Sequence, residues 1–182
     1  MNSQITKTTF CILAGLGLIL GLTVHIISLL GIYIGDSIPF VWMLHLGIFV
    51  VWVPAVLLLK DNPELQQLNA SKNKNPLKFY GILFKNAPKP VMVISLFFFA
   101  YAMINFFLFM QSGGGGVPSI IDGKYVINNH GNIIKELTEA EFFKMKANEI
   151  RGFSGHWIAF YSLSMGILWP KAQVNNSSNK VA

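Results

Sequence analysis

The sequence predicts an all-α integral membrane protein: a four-transmembrane-helix bundle carrying a small extracytoplasmic β-hairpin plus amphipathic helix. Three observations predict it. Between Phe10 and Leu59 the only formally charged side chain is Asp36, in the polar break Gly35-Asp36-Ser37. A crossing needs roughly 20 apolar residues, so this stretch holds an antiparallel helical hairpin, the form in which lipid lets a backbone satisfy itself. Second, charged residues make up only 12% of the 182-residue chain, against about 25% in soluble domains. Third, the lysines cluster beside the apolar runs. That distribution reads as orientation in a bilayer rather than as a nucleic-acid footprint, so lipid is an expected partner and nucleic acid is not.

The chain divides into residues 1–112, with three spans and a lysine-rich connector, an outer module at 113–152, and residues 153–182 with a fourth span and a tail. Span one, about 10–34, carries Gly17, Gly21, His25, Ser28, Gly31 and Gly35 at helical spacing, which places them on one face. Small faces let helices approach closely in lipid. The run exceeds the ~7–15-residue core of a cleaved signal peptide. The single cysteine, Cys11, rules out an intramolecular disulfide or CxxC chemistry.

Span two, about 38–59, contains Trp42, His45, Trp52 and a Pro54 expected to kink it. Its small residues Gly47 and Ala55 lie nearly opposite His45, which turns His45 away from span one. The connector 60–89 holds six lysines against Asp61 and Glu64, the mark of a cytoplasmic loop. Within it, residues 77–84 read as a segment lying at the interface, phenylalanines in lipid and lysines near headgroups.

Span three, about 91–110, is rich in phenylalanine and includes Tyr101 and Asn105. The four glycines 113–116 read as a flexible joint. Asn128-Asn129-His130-Gly131 lies between two apolar β-formers and predicts a hairpin turn. Thr138 with Glu141 three residues on is a capping box, opening a helix over about 139–151 with Phe143, Ala147 and Ile150 along one side. Span four, about 153–169, sits between Arg151 and Lys171. Its stripe Gly155, Ala159, Ser162 and Gly166 suits packing against span one. Gly152-Phe153-Ser154-Gly155-His156-Trp157 is the least ordinary local sequence. It reads as a break, with Gly152 ending one helix and Ser154 capping the next, or as a ligand contact where module meets bundle.

Charge sets the topology. With both termini cytoplasmic, the inner side holds nine basic and two acidic side chains and the outer side five basic and six acidic, as the positive-inside rule requires. Small size and this asymmetry point to a bacterial inner membrane. Trp42, Trp157 and Trp169 are expected interfacial anchors, and Asn175-Asn176-Ser177-Ser178 a simple tail.

At ~1.5 Å of rise per residue, His25 lies ~16 Å and His45 ~13 Å below Asp36, Asn105 ~10 Å and Tyr101 ~16 Å below Ser112, His156 ~7 Å and Tyr161 ~15 Å below Arg151. With Ser28 these form a polar layer in the outer half of the bilayer, where such groups are functional candidates. Three readings compete: a structural layer holding the bundle in register, a haem or metal site with His25 and His45 as ligands, and a proton or small-solute path. The last is weakened by the lack of any charged residue inside the spans. No nucleophile–base constellation or metal-ligand cluster stands out, and the glycine run lacks the GK[ST] of a phosphate loop. The leading expectation is a non-enzymatic accessory or scaffold subunit that packs against another membrane protein or a second copy. The alternative is a His25/His45 haem or metal redox protein, with a small transporter behind it.

Overall fold

A computed structural model describes residues 3–71 and 75–171. Lys72, Lys74, Lys180 and the segment 175–178, which entered the charge and tail readings, lie outside the described residues. The order is α1 (Ser3–Leu29), α2 (Met43–Lys60), α3 (Pro63–Ala70), α4 (Pro76–Leu83), α5 (Lys89–Ser112), β1 (Val117–Ile121), β2 (Lys124–Asn129), β3 (Asn132–Glu136) and α6 (Glu139–Ile167). The protein is mostly helical, and α1, α2 and α5 are each long and apolar enough to cross a membrane.

The bundle is built on α6. It packs along α1, α5 and α2 and buries fourteen of its residues. At one end the Gln4 side-chain amide donates to the Lys171 carbonyl at 3.0 Å, and Cys11 Sγ to the Met165 carbonyl at 3.5 Å, so α1 and α6 run antiparallel. The Ser95 hydroxyl donates to the Ser162 carbonyl at 2.8 Å, while Asn105 meets α6 at residues 151 and 152, so α5 is antiparallel to α6 as well. Glycines make this close packing possible. A Cβ at Gly17 or Gly47 would run into Tyr161, one at Gly152 into the Phe109 ring, and one at Gly166 into Phe84. Tyr161 is thus a knob seated between a notch on α1 and a notch on α2.

Several expectations need correction. Helix α1 ends at Leu29, not at 34, because Gly31 takes up φ +75°, a conformation that stops helices. A Cβ at Gly31 would meet nothing within 4 Å, and the nearest neighbour of one at Gly35 is Tyr33 of its own loop; neither is a notch between helices. Residues 38–42 are tight turns rather than the start of span two, with Val41 N–H donating to Ile38 O at 3.0 Å and Met43 N–H to Phe40 O at 2.8 Å. The stripe on α6 faces α5 instead of span one, since Gly155 abuts Asn105 and Gly166 abuts Phe84 and Ser95.

The connector is also more structured than a polar loop. Asn62 and Asn75 cap α3 and α4 with their side chains, each followed by a proline at the first helical position, where its missing N–H costs nothing. Phe84 is buried in the bundle at 4% exposure, not in lipid. Gly113–Gly116 is an ordered turn: Gly116 N–H donates to the Gly113 carbonyl at 3.3 Å, and a Cβ at Gly116 would stand 2.6 Å from the Asn128 carbonyl oxygen.

The module after α5 is a three-stranded antiparallel sheet in the order β1-β2-β3, one strand more than the predicted hairpin. Both turns are two-residue, Asp122-Gly123 and His130-Gly131, with positive φ at all four positions, as the primed turns of twisted hairpins require. Val126 and Ile127 are buried, and the Tyr125 ring lies tilted against Phe142 with centroids 4.7 Å apart, which docks the sheet on the first turns of α6. The capping box is present in full. No break follows it: α6 runs unbroken through Gly152 and Ser154 into the segment expected as span four.

Candidate functional site

The residues Gly152 to Trp157 explain the local geometry. On a helix, six successive side chains point around the full circumference, and here each direction holds a neighbour. Gly152 and Gly155 admit Phe109 and Asn105 of α5. His156 stacks edge-on against Phe106 of α5 at 5.3 Å. Phe153 lies 5.2 Å from Trp42 and 5.9 Å from His45. Ser154 meets His25 of α1, and Trp157 meets His45 of α2. This one and a half turns is where the bundle's polar contacts converge.

The contacts fix their own directions. Ser154 Oγ lies 3.2 Å from the Arg151 carbonyl, which can only accept, so it donates there. It is then the acceptor for His25 Nδ1–H at 2.8 Å. That leaves His25 Nε2 bare, to accept from the Tyr101 phenol at 2.6 Å. A chain of donors thus runs from Tyr101 on α5 through His25 on α1 to Ser154 and the Arg151 carbonyl on α6. Asn105 Nδ2 adds to it, donating to the Arg151 and Gly152 carbonyls at 3.0 and 3.4 Å. Ser28 closes onto its own helix, donating to the His25 carbonyl at 2.8 Å, and Tyr161 donates to the Leu44 carbonyl at 2.8 Å. Two buried polar atoms lack a partner among the described residues: the Asn105 Oδ1 acceptor and the Ser164 hydroxyl.

The sequence-predicted layer is therefore one contact system for His25, Tyr101 and Asn105, with His45, Tyr161 and His156 bonded separately. Three corrections follow. The layer is shallower along the helices than expected, because α1 ends one turn after His25 and α2 begins at Met43, placing His45 in its first turn. Trp157 is no interfacial anchor: it is 0% exposed, and its indole N–H donates to His45 Nδ1 at 3.1 Å. Ser154 is no helix cap but a buried member of the layer, which its place beside two glycines in a polar hexapeptide could have signalled.

The alternative reading, in which His25 and His45 share one iron, meets a chemical obstacle. Both ring nitrogens of His25 are already hydrogen-bonded, and ligation would require giving up either Ser154 or Tyr101. Among the described residues no group of three or more His, Cys, Asp or Glu side chains is arranged to hold a metal ion. Ser154 and His25 stand at a distance suited to a nucleophile and its base. They are 0% and 3% exposed, however, and Ser154 sits within a helix whose amides are bonded along its own axis, which leaves no donor pair for an oxyanion. The arrangement is suited to holding helices together.

No protein family, no curated protein and no solved structure matches this chain.

Proposed function

We propose that the chain is a four-span, non-enzymatic accessory or scaffold subunit of a membrane assembly, with both termini and the lysine-rich connector in the cytoplasm. The fourth crossing is α6. Its low hydropathy follows from its position: α1, α2 and α5 cover it, so its own contacts are the glycines, serines and hydrogen-bonding groups that helices use against one another. From Arg151 to its last residue Ile167 it rises about 24 Å, and the non-helical residues up to Lys171 carry the chain on toward the far side of a hydrocarbon core about 30 Å thick. The long stems of the Arg151 and Lys171 side chains reach the boundary on either side. Among the described residues the end bearing α3 and α4 carries Lys7, Lys60, Lys78, Lys85, Lys89 and Lys171 against Asp61 and Glu64. The sheet end carries five basic and six acidic side chains, which supports that orientation and an inner-membrane location.

The observation that carries the functional reading is that the polar layer spends most of its hydrogen-bonding capacity inside the chain, with His25, Tyr101 and Ser154 each bonded to another helix. Such a layer fixes register and leaves little for chemistry. What remains outward is apolar: Val93, Phe97, Ile104 and Phe107 of α5 are each about 60% exposed. This is the face offered to a partner span or a second copy. Crosslinking through a photoreactive group at Phe97 in intact membranes is expected to capture a discrete protein adduct. A chain that crosslinks only to lipid and purifies in mild detergent as a monomer would refute the accessory role.

A further inference from the structure

Two histidines of the polar layer, His25 and His45, differ in one respect. His25 is saturated, whereas His45 is bonded on one nitrogen only. An indole N–H can donate but never accept, so its contact with His45 Nδ1 requires that nitrogen to be bare. The neutral ring then carries its proton on Nε2. Nε2 has no partner among the described residues and is not among the buried unpaired atoms, so this N–H is accessible. His45 lines an open groove of about 360 Å³ together with Pro39, Phe40, Trp42, Met43 and Leu46. Phe40 is 76% exposed, Met43 59% and Leu46 58%, and Phe49 and Phe153 hold the imidazole edge-on at 6.2 and 5.9 Å.

The geometry points to this groove as the binding site of a lipid-soluble quinone, its ring carbonyl accepting from His45 Nε2–H. The lining carries no formal charge, which selects a neutral ligand over a phosphate or carboxylate. Its side chains supply two N–H donors, His45 Nε2 and the Trp42 indole nitrogen, and no acceptor oxygen, which favours a carbonyl over a hydroxyl. Aromatic surface on Phe40 and Trp42 suits a flat conjugated ring, since offset or edge contacts between such rings are favourable. Met43 and Leu46, on the open side of the first turns of α2, suit an apolar tail. A few oriented polar groups in an apolar concavity are the usual form of a small-molecule site. The inference needs only α2, α6 and the loop before α2, and it stands whether or not the chain serves as an accessory subunit.

The test is titration of decylubiquinone into the full chain in phosphatidylcholine nanodiscs, read as quenching of tryptophan fluorescence excited at wavelengths tyrosine does not absorb. Saturable quenching is expected, because Trp42 and Trp157 flank the site. His45→Phe, which keeps a ring and removes the imidazole donor, is expected to weaken it at least tenfold. Leu46→Tyr, which fills the groove at an exposed position and leaves the donor in place, is expected to do the same, while His156→Phe leaves it unchanged. Elution volume and melting midpoint check that each variant folds; should His45→Phe fail there, Leu46→Tyr decides. Quenching that rises linearly and equally in wild type and Leu46→Tyr would overturn the proposal, as quinone dissolved in the bilayer explains it. So would a phospholipid retained in native mass spectra of the wild type and lost in Leu46→Tyr without saturable quenching, since a lipid ester would then be the occupant.

Discussion

Single residues decide how closely these helices approach. Gly17 on α1 gives way to the Tyr161 ring and Gly47 on α2 to its hydroxyl, and Tyr161 uses the space to reach the Leu44 carbonyl. A methyl at Gly17 must displace an aromatic ring from a packed core, an overpacking that costs roughly 1–3 kcal/mol. Gly17→Ala is therefore expected to lower the thermal midpoint of the detergent-solubilised protein. Gly81→Ala, in α4 with open space around it, is expected to leave it unchanged or raise it, since alanine in a compatible helical site adds about 0.4–1 kcal/mol. Equal effects of the two substitutions would contradict the knob-and-notch account. The small stripe through Gly17 and Gly21 was legible from spacing alone. Which of its glycines are notches was not: Gly31 has the same spacing but serves as a stop, because the chain turns left-handed there, and periodicity carries no information about that.

At the scale of elements, the continuity of α6 is the feature the sequence least revealed. Gly152 and Ser154 are residues that often end and begin helices, and here they lie inside one because the glycine makes room for Phe109 and the serine bonds across to His25. Local chemistry was read correctly at the other end. Thr138 and Glu141 form the capping box, and the Thr138 backbone N–H, followed by Lys135, holds the Glu141 carboxyl down at about 2 from its ordinary 4.5. The unfolded chain takes up a proton before the folded one, so this contribution is complete above about 4.5 and is lost as pH falls toward about 2. The protection of the Glu139–Phe142 amides, taken relative to the intrinsic exchange rate at each pH, is expected to fall over that window, and Glu141→Gln to remove the change. Protection that stays constant with pH in the wild type would show that the box does not hold the helix start.

Elements missed in the sequence had signals of their own. Asp122-Gly123 is a strong hairpin turn pair, masked by Pro118, which a first strand tolerates only at a sheet edge. Asn62-Pro63 and Asn75-Pro76 are cap-and-first-turn pairs, masked by the shortness of the helices they open, eight residues each.

At the scale of the molecule, three apolar helices enclose a fourth that is more polar than any of them. Hydropathy alone identifies the enclosing helices and passes over the enclosed one, because burial by protein and burial by lipid ask for different side chains. The ends differ in charge, and Gln4 bonding to Lys171 joins the start of α1 to the end of α6 on the lysine-rich side. All of this turns on whether α6 crosses. The most direct measurement is side-specific labelling of single cysteines in a Cys11→Ala background, with Lys78→Cys, Lys135→Cys and Lys171→Cys examined in sealed inverted vesicles and in intact cells. The account predicts that positions 78 and 171 react together from the cytoplasmic side while 135 reacts only from the opposite side. Reaction of position 171 from the same side as 135 would mean that α6 does not traverse the bilayer, and the proposed four-span arrangement would be wrong.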